Sequence, residues 1–173
     1  MNSEYFLCGP RIGFRWWTSA DISLAKGLWG DPAVTRLFSK EALTDEQVLA
    51  RLKDEIEKAS LYGMQYWPMF ELSSGLHIGC GGFRHYKPDE QIYELGFHLR
   101  PAFWGKGLAT EAGEILIRYG FEQLSANAIF AGHHPANLAS RAVLLKLGFE
   151  ETSAAFYEPT GLFHPSYLLQ KPQ

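Results

Sequence analysis

The chain has 173 residues, 46% of them hydrophobic and 20% charged, with a formal net charge of −3. That size suits one domain, since two would each keep only about 85 residues and a thin core. No apolar run approaches the roughly 20 residues of a membrane span, and the charge gives no electrostatic reason to expect nucleic acid.

Met1-Asn2-Ser3-Glu4 lacks a basic region followed by an apolar run, so no signal peptide is expected. Cys8 and Cys80 form neither a disulfide framework nor a metal quartet, and a reducing cytoplasm is the expected location. Gly13–Trp17 reads as a short strand leading into Thr18-Ser19-Ala20-Asp21, a cluster suited to capping a helix. Thr44 with Gln47 forms a capping box, with Leu43 and Val48 placed as a hydrophobic staple. Val48, Leu52, Ile56 and Ala59 then recur at helical spacing, with Lys and Glu on the other face.

From residue 66 the period becomes two. Tyr66–Leu72, Leu76–Tyr86 and Gln91–Leu99 read as strands of an antiparallel meander, joined by turns at Ser73-Ser74-Gly75 and Lys87-Pro88-Asp89-Glu90. Gly79, Gly81 and Gly82 point to a bulge or a close backbone approach. A helix from Leu108 to about Leu124 follows, then a buried strand at Ala128–Gly132 and a helix at Leu138–Leu147 with Gly148 at its C′ position. The remainder, Phe149–Gln173, reads as a hairpin around Glu158-Pro159-Thr160-Gly161. The expected class is a mixed α/β (α+β) fold: a meander, a β-α-β-α unit and a C-terminal hairpin.

Between the third meander strand and the long helix lies Arg100-Pro101-Ala102-Phe103-Trp104-Gly105-Lys106-Gly107-Leu108-Ala109-Thr110-Glu111. Two glycines flanking one residue at a helix start let main-chain N–H groups point outward, where the helix dipole also favours a pyrophosphate. Lys106 adds mobile charge and Thr110 a hydroxyl donor. A Walker loop would need Ser or Thr after Lys106, where Gly107 stands. A dinucleotide fingerprint would need a small residue at Thr110 and an early βαβ unit. Neither nucleotide reading fits.

Tyr93-Glu94-Leu95-Gly96-Phe97-His98-Leu99-Arg100-Pro101, Trp104–Ala112, Asn137-Leu138-Ala139-Ser140-Arg141 and Lys146-Leu147-Gly148-Phe149 together resemble the GNAT N-acetyltransferase superfamily, in its RimJ/RimL-like branch. Arg15 before Asp21 and the helix opening at Thr44 agree with that resemblance, although Ala102 stands where many members have Gln or Arg.

The resemblance implies a single acetyltransferase domain over 1–173, helices on both faces of the sheet, and acetyl-CoA as cosubstrate without a metal. The cosubstrate would lie where the strand at 93–99 splays from the strand at 128–132. Phe97, His98 and Leu99 would border it, with main-chain groups of Phe97 and Leu99 pairing to the pantetheine amides. Trp104, Gly105, Lys106, Gly107, Leu108, Ala109 and Thr110 would cradle the pyrophosphate, and Asn137 and Ser140 would lie by the pantetheine arm.

Glu94 and His98 share one strand face, roughly 13 Å apart. A partly buried carboxylate suits deprotonation of an incoming ammonium, which makes Glu94 the candidate base; a charge paired across the sheet is the alternative. His98 also reads as a hydrogen-bonded sheet histidine, and Asn137 and Ser140 as plain helix capping. Many members place a tyrosine acid seven residues after this Asn, where Leu144 stands, so the resemblance moves that role to Ser140 or leaves the thiolate unassisted. His133 and His134 are adjacent on a strand and point apart, which does not suit one metal ion. Trp16, Trp17 and Trp29 lie where the family builds an acceptor wall, though core packing suits each equally.

Three functions stay open: acetylation of a protein N-terminal α-amine, acetylation of a small-molecule amine (polyamine, amino sugar, drug or amino acid), and non-catalytic acyl-CoA binding. Glu94, Asn137 and Ser140 together argue against the third. No nucleic-acid or membrane partner is expected, and the chain is expected as a monomer or homodimer.

Overall fold

The computed structural model describes residues 4–172. The signal-peptide reading of residues 1–3 and the last residue of the closing hairpin lie outside that range. Strands β1 (Leu7–Cys8) and β2 (Ile12–Phe14) form an opening hairpin, followed by helices α1 (Ile22–Trp29), α2 (Pro32–Thr35) and α3 (Asp45–Tyr62). The meander is β3 (Tyr66–Glu71), β4 (His77–Lys87) and β5 (Ile92–Leu99). Then come α4 (Leu108–Glu122), β6 (Ala128–Gly132), α5 (Leu138–Lys146), β7 (Glu150–Glu151), β8 (Ala155–Tyr157), β9 (Leu162–His164) and β10 (Ser166–Gln170). One eight-stranded sheet runs β1-β2-β3-β4-β5-β6-β10-β7, and β8 and β9 pair as a separate hairpin.

Local chemistry accounts for most of these boundaries. Thr44 accepts the Gln47 N–H, and the Thr44 N–H donates to Gln47 Oε1, closing the capping box of α3. Such a box is worth about 1 kcal/mol. A Cβ on Gly82 would lie 1.9 Å from the Gln65 carbonyl oxygen, and one on Gly79 2.1 Å from that of His98. The β3–β4 register shifts between Met69 and Phe70, so this glycine run supplies both a bulge and a close approach. The strand expected at Gly13–Trp17 ends at Phe14 instead. The Trp17 N–H is taken by the Gln65 side chain, and the chain leaves the sheet there.

Helices cover both faces. On one, Ala112, Ile115 and Leu116 of α4 and Leu144 of α5 pack with Trp67, Phe83 and Ile129. On the other, Ala25, Leu28 and Trp29 of α1 and Val48 and Leu52 of α3 pack with Tyr66 and Cys80. The charged face expected for α3 has an exception. Glu55 falls on the stripe of Val48 and Leu52 and is fully buried, where it accepts from the Arg84 guanidinium (2.7 Å) and the Tyr66 N–H (2.8 Å).

Candidate active site

The loop before α4 has the conformation its glycines require. Gly105 (φ +72°) and Gly107 (φ +76°) both lie in the left-handed region, and Gly107 is the N-cap. No side chain caps the first turn, so the N–H groups of Leu108, Ala109 and Thr110 are left for a ligand. Nothing lies within 4 Å of the position of a Cβ on Gly105. A neighbouring cleft of about 480 Å³ is lined by Arg11, Thr110, Glu111, Arg118 and Lys146 among others.

Sequence reading missed the brace behind this loop. Arg11 donates through its main-chain N–H and Nε to the two oxygens of Glu111 (2.7 and 2.6 Å), and through Nη1 to the Lys106 carbonyl (3.0 Å). The β1–β2 turn is thereby tied to both the loop and the first turn of α4. The pairing joins residues 100 positions apart, and no local spacing announces it.

The edge of β5 is open where a ligand would add to it. β5 pairs in parallel with β6 only through Ile92, Tyr93 and Glu94, while its pairing with β4 continues to Leu99. The Gln91 carbonyl accepts from Asn127 on the β6 side, and the Arg100 N–H donates to Ile78 on the β4 side. Alternation along the strand therefore turns the main-chain groups of Leu95, Phe97 and Leu99 into the gap. Trp104 Nε1 donates to the Leu99 carbonyl (2.8 Å) and closes the loop end of that gap. These donors and acceptors fit a long amide-bearing ligand ending in a pyrophosphate.

Glu94 and His98 share the face covered by α1 and α3. Arg84 stands opposite Glu94 in the ladder, but its ion pair is with Glu55. Burial raises the Glu94 carboxyl above its ordinary range, against the opposing charge of Arg84. No protein hydrogen bond is made to that carboxyl among the described residues, so it combines partial desolvation with a free lone pair, as a general base requires. His98 is tied in place: Trp29 Nε1 approaches its Nδ1 at 3.4 Å, and its ring stacks on Phe38 at 4.5 Å. Burial first, then Arg51 and Arg84, holds the imidazole well below its ordinary pKa and neutral.

The β8–β9 hairpin lies over this face. Burial and the charge of Glu94 raise the Tyr157 hydroxyl, with Arg51 and Arg84 opposing. At the hairpin tip a Cβ on Gly161 would lie 3.3 Å from Lys40 Nζ, between α2 and α3. This side of β5 is bordered by α1 and α3, and the tip of the β8–β9 hairpin reaches Lys40 beside it. Arg51, Phe38 and Tyr157 belong to it and were not singled out from sequence. The spacing 48, 51, 52, 55 could have placed Arg51 beside the buried stripe of α3.

The three tryptophans have separate positions. Trp29 borders the cleft through His98, whereas Trp17 is buried with its Nε1 donating to the Tyr66 carbonyl (2.7 Å). Trp16 packs on Phe6 and Trp67, with the α4 side of the sheet.

Asn137 caps α5, accepting the Ser140 N–H at 3.1 Å. The Ser140 hydroxyl has no protein partner among the described residues. Leu144 is 2% exposed and points into the core, so nothing at that position can donate a proton. His133 bonds to the His134 carbonyl and Tyr167, while His134 accepts from the Ala136 N–H. Among the described residues no group of three or more His, Cys, Asp or Glu is placed to hold a metal ion. None of their helices is long and apolar enough to cross a membrane.

A splayed β5–β6 pair leading into a glycine loop and an open helix start offers the open edge and the N–H donors that an acyl-CoA thioester would use. The acetyltransferase (GNAT) domain family matches residues 11–150. An uncharacterized N-acetyltransferase, p20 of Bacillus licheniformis, is 30% identical over 142 residues, 82% of this chain and 80% of that protein. An uncharacterized N-acetyltransferase of Schizosaccharomyces pombe is 34% identical over 79% of this chain and 71% of its own length. Among solved structures, a GNAT-family acetyltransferase of Bacillus anthracis superposes with a TM-score of 0.82 at 20% identity, covering 95% of this chain and 97% of that one. RimL, a ribosomal L7/L12 alpha-N-protein acetyltransferase in complex with coenzyme A, superposes at 0.81 and 13% identity over 96% of this chain and 98% of its own. The chain belongs to the GNAT acetyltransferase family and shares the RimL fold. It is an acyltransferase that moves acetyl from acetyl-CoA to an amine.

Proposed function

We propose that transfer occurs by direct attack of a primary amine within a ternary complex, with Glu94 as the base and a small-molecule amine as the acceptor. The observation that carries this is the Glu94 carboxyl, partly desolvated, without a protein hydrogen bond, and next to Leu95, where the open edge of β5 begins. The acetyl thioester supplies the electrophilic carbonyl. As the amine nitrogen bonds to that carbon and the C–S bond breaks, Glu94 takes the ammonium proton directly or through one water. Ser140, at the start of α5, is the group available to protonate the leaving thiolate. A free thiol titrates near 8.5, so a weak donor suffices. Neither Cys8, which is exposed, nor Cys80, whose burial pushes it up to about 12, supports an acyl-enzyme route.

The hairpin tip against Lys40 supports a roofed pocket and hence a small acceptor. Exposed Phe156 and Phe163 on that hairpin favour a second reading, a protein N-terminal α-amine, which is the acceptor named for RimL. A panel of small amines and N-terminally free peptides, assayed for CoA release from acetyl-CoA, tests the choice. Turnover of small amines supports the first reading, and turnover of peptides alone refutes it.

A further inference from the structure

We infer that Arg51 anchors a carboxylate on the acceptor, so that the enzyme takes amino-acid-like amines that pair an ammonium with a nearby acid. This rests on the acceptor cleft proposed above. The half-buried guanidinium of Arg51 lies 4.7 Å from the Trp29 ring centroid and 4.9 Å from that of Phe38, which fixes its direction. It forms no ion pair with any described residue, and its Nε is buried without a hydrogen-bond partner. Three other arginines are matched, Arg11 by Glu111, Arg15 by Asp21 and Arg84 by Glu55, each within 2.7 Å, whereas Arg36, Arg100 and Arg118, like Arg51, form no ion pair with a described residue. A desolvated arginine between two aromatic faces, left without an anion, is primed for a planar bidentate partner.

The same cation faces the cleft. Both rings it lies over also meet His98 of β5: Phe38 stacks on the imidazole at 4.5 Å, and Trp29 Nε1 approaches its Nδ1 at 3.4 Å. Glu94 is instead acted on by Arg84, whose own charge Glu55 already offsets. The cleft is therefore polarised along β5, with an unpaired carboxylate at Glu94 and an unneutralised cation toward His98. An acceptor carrying both charges complements both ends. A polyamine would place a second ammonium against Arg51, and like charges at that range repel.

The test uses the full chain with saturating acetyl-CoA. CoA release is measured for glycine, L-serine, L-methionine, L-glutamate and L-phenylalanine, each against its α-amide, with O-phosphoethanolamine and ethanolamine as a phosphate pair. The expected result is at least one free acid with kcat/KM roughly tenfold or more above its amide. Arg51→Gln should collapse that ratio toward one, chiefly through KM, and Arg51→Lys should recover only part of it. Amides turned over as well as acids, or no free acid turned over, overturn the anchor. So does a ratio unmoved by Arg51→Gln, or a preference confined to the phosphate pair. The wild-type acid-to-amide ratio is independent of how the variants fold. CoA titration by calorimetry separates the two readings. Absent CoA binding, acetyl transfer itself fails; with CoA bound and uncharged-tail amines acetylated, only the anchor fails.

Discussion

Arg84 and Glu94 stand directly opposite each other on β4 and β5, yet the guanidinium turns away from its cross-strand neighbour to a helix carboxylate, Glu55, at 2.7 Å. Glu94 keeps the influence of a nearby cation without being neutralised by it. Burial then dominates, and its carboxyl is raised rather than depressed. This three-residue arrangement is the electrostatic basis for treating Glu94 as a base rather than half of a sheet ion pair.

Removing Glu55 tests that arrangement. Glu55→Gln takes the charge from a pair whose carboxylate is fully buried but whose guanidinium is partly exposed, and breaking it should cost up to about 3 kcal/mol. A lowered Tm measures this. The freed Arg84 should then pair with Glu94 and depress its pKa, so the acid limb of the pH–rate profile moves to lower pH in the same variant.

Ser140→Ala should lower kcat by about tenfold while leaving the Asn137 cap, which engages the main-chain N–H of Ser140, in place. Leu144→Tyr should give no compensating gain. Its side chain would enter the core beside Phe149 rather than the gap, and overpacking there costs about 1–3 kcal/mol. Paired kcat and thermal-melt measurements on both variants check this.

His77 sets a pH dependence of stability. It is 3% exposed, neither ring nitrogen has a hydrogen-bond partner, and burial together with Arg100 lowers its pKa to about 4. The folded state thus binds the proton less readily than the unfolded chain, whose histidine titrates near 6.5. The contribution is fully present above pH 6.5 and is lost as pH falls toward 4, by roughly 3 kcal/mol. Urea melts at pH 7 and pH 5 should show the loss, and His77→Phe should flatten it.

Much of the fold was legible in residue order because its signals are local. The Thr44–Gln47 box, the period-two meander and the glycine loop before α4 each depend on neighbours within a few positions. The gap between β5 and β6 followed only from family likeness, since the loss of pairing after Glu94 depends on two strands about 35 residues apart. The acceptor wall was least readable. Arg51 of α3 and Phe38 of the segment before it meet only through tertiary packing, and Tyr157 comes from a hairpin more than 100 residues further on. The strand misplaced at Gly13–Trp17 failed for a related reason: a distant side chain, Gln65, took the backbone donor of Trp17.

The central claim is that Glu94 deprotonates the acceptor, and the pH dependence of kcat/KM for wild type and Glu94→Gln tests it most directly. Because ionised Glu94 takes the proton of an acceptor that arrives as ammonium, protonation of the free amine does not by itself slow the wild type. Glu94→Gln instead needs the neutral amine and should fall with a slope of about one toward acid. The wild-type profile should stay flat until Glu94 itself protonates, above the ordinary glutamate value of about 4.3, and fall with a slope of about one below that. The Glu94→Gln fall should begin already at the pKa of the amine, with a rate lower by roughly 10²-fold or more and unchanged affinity for CoA. Two parallel profiles of equal height would contradict the account.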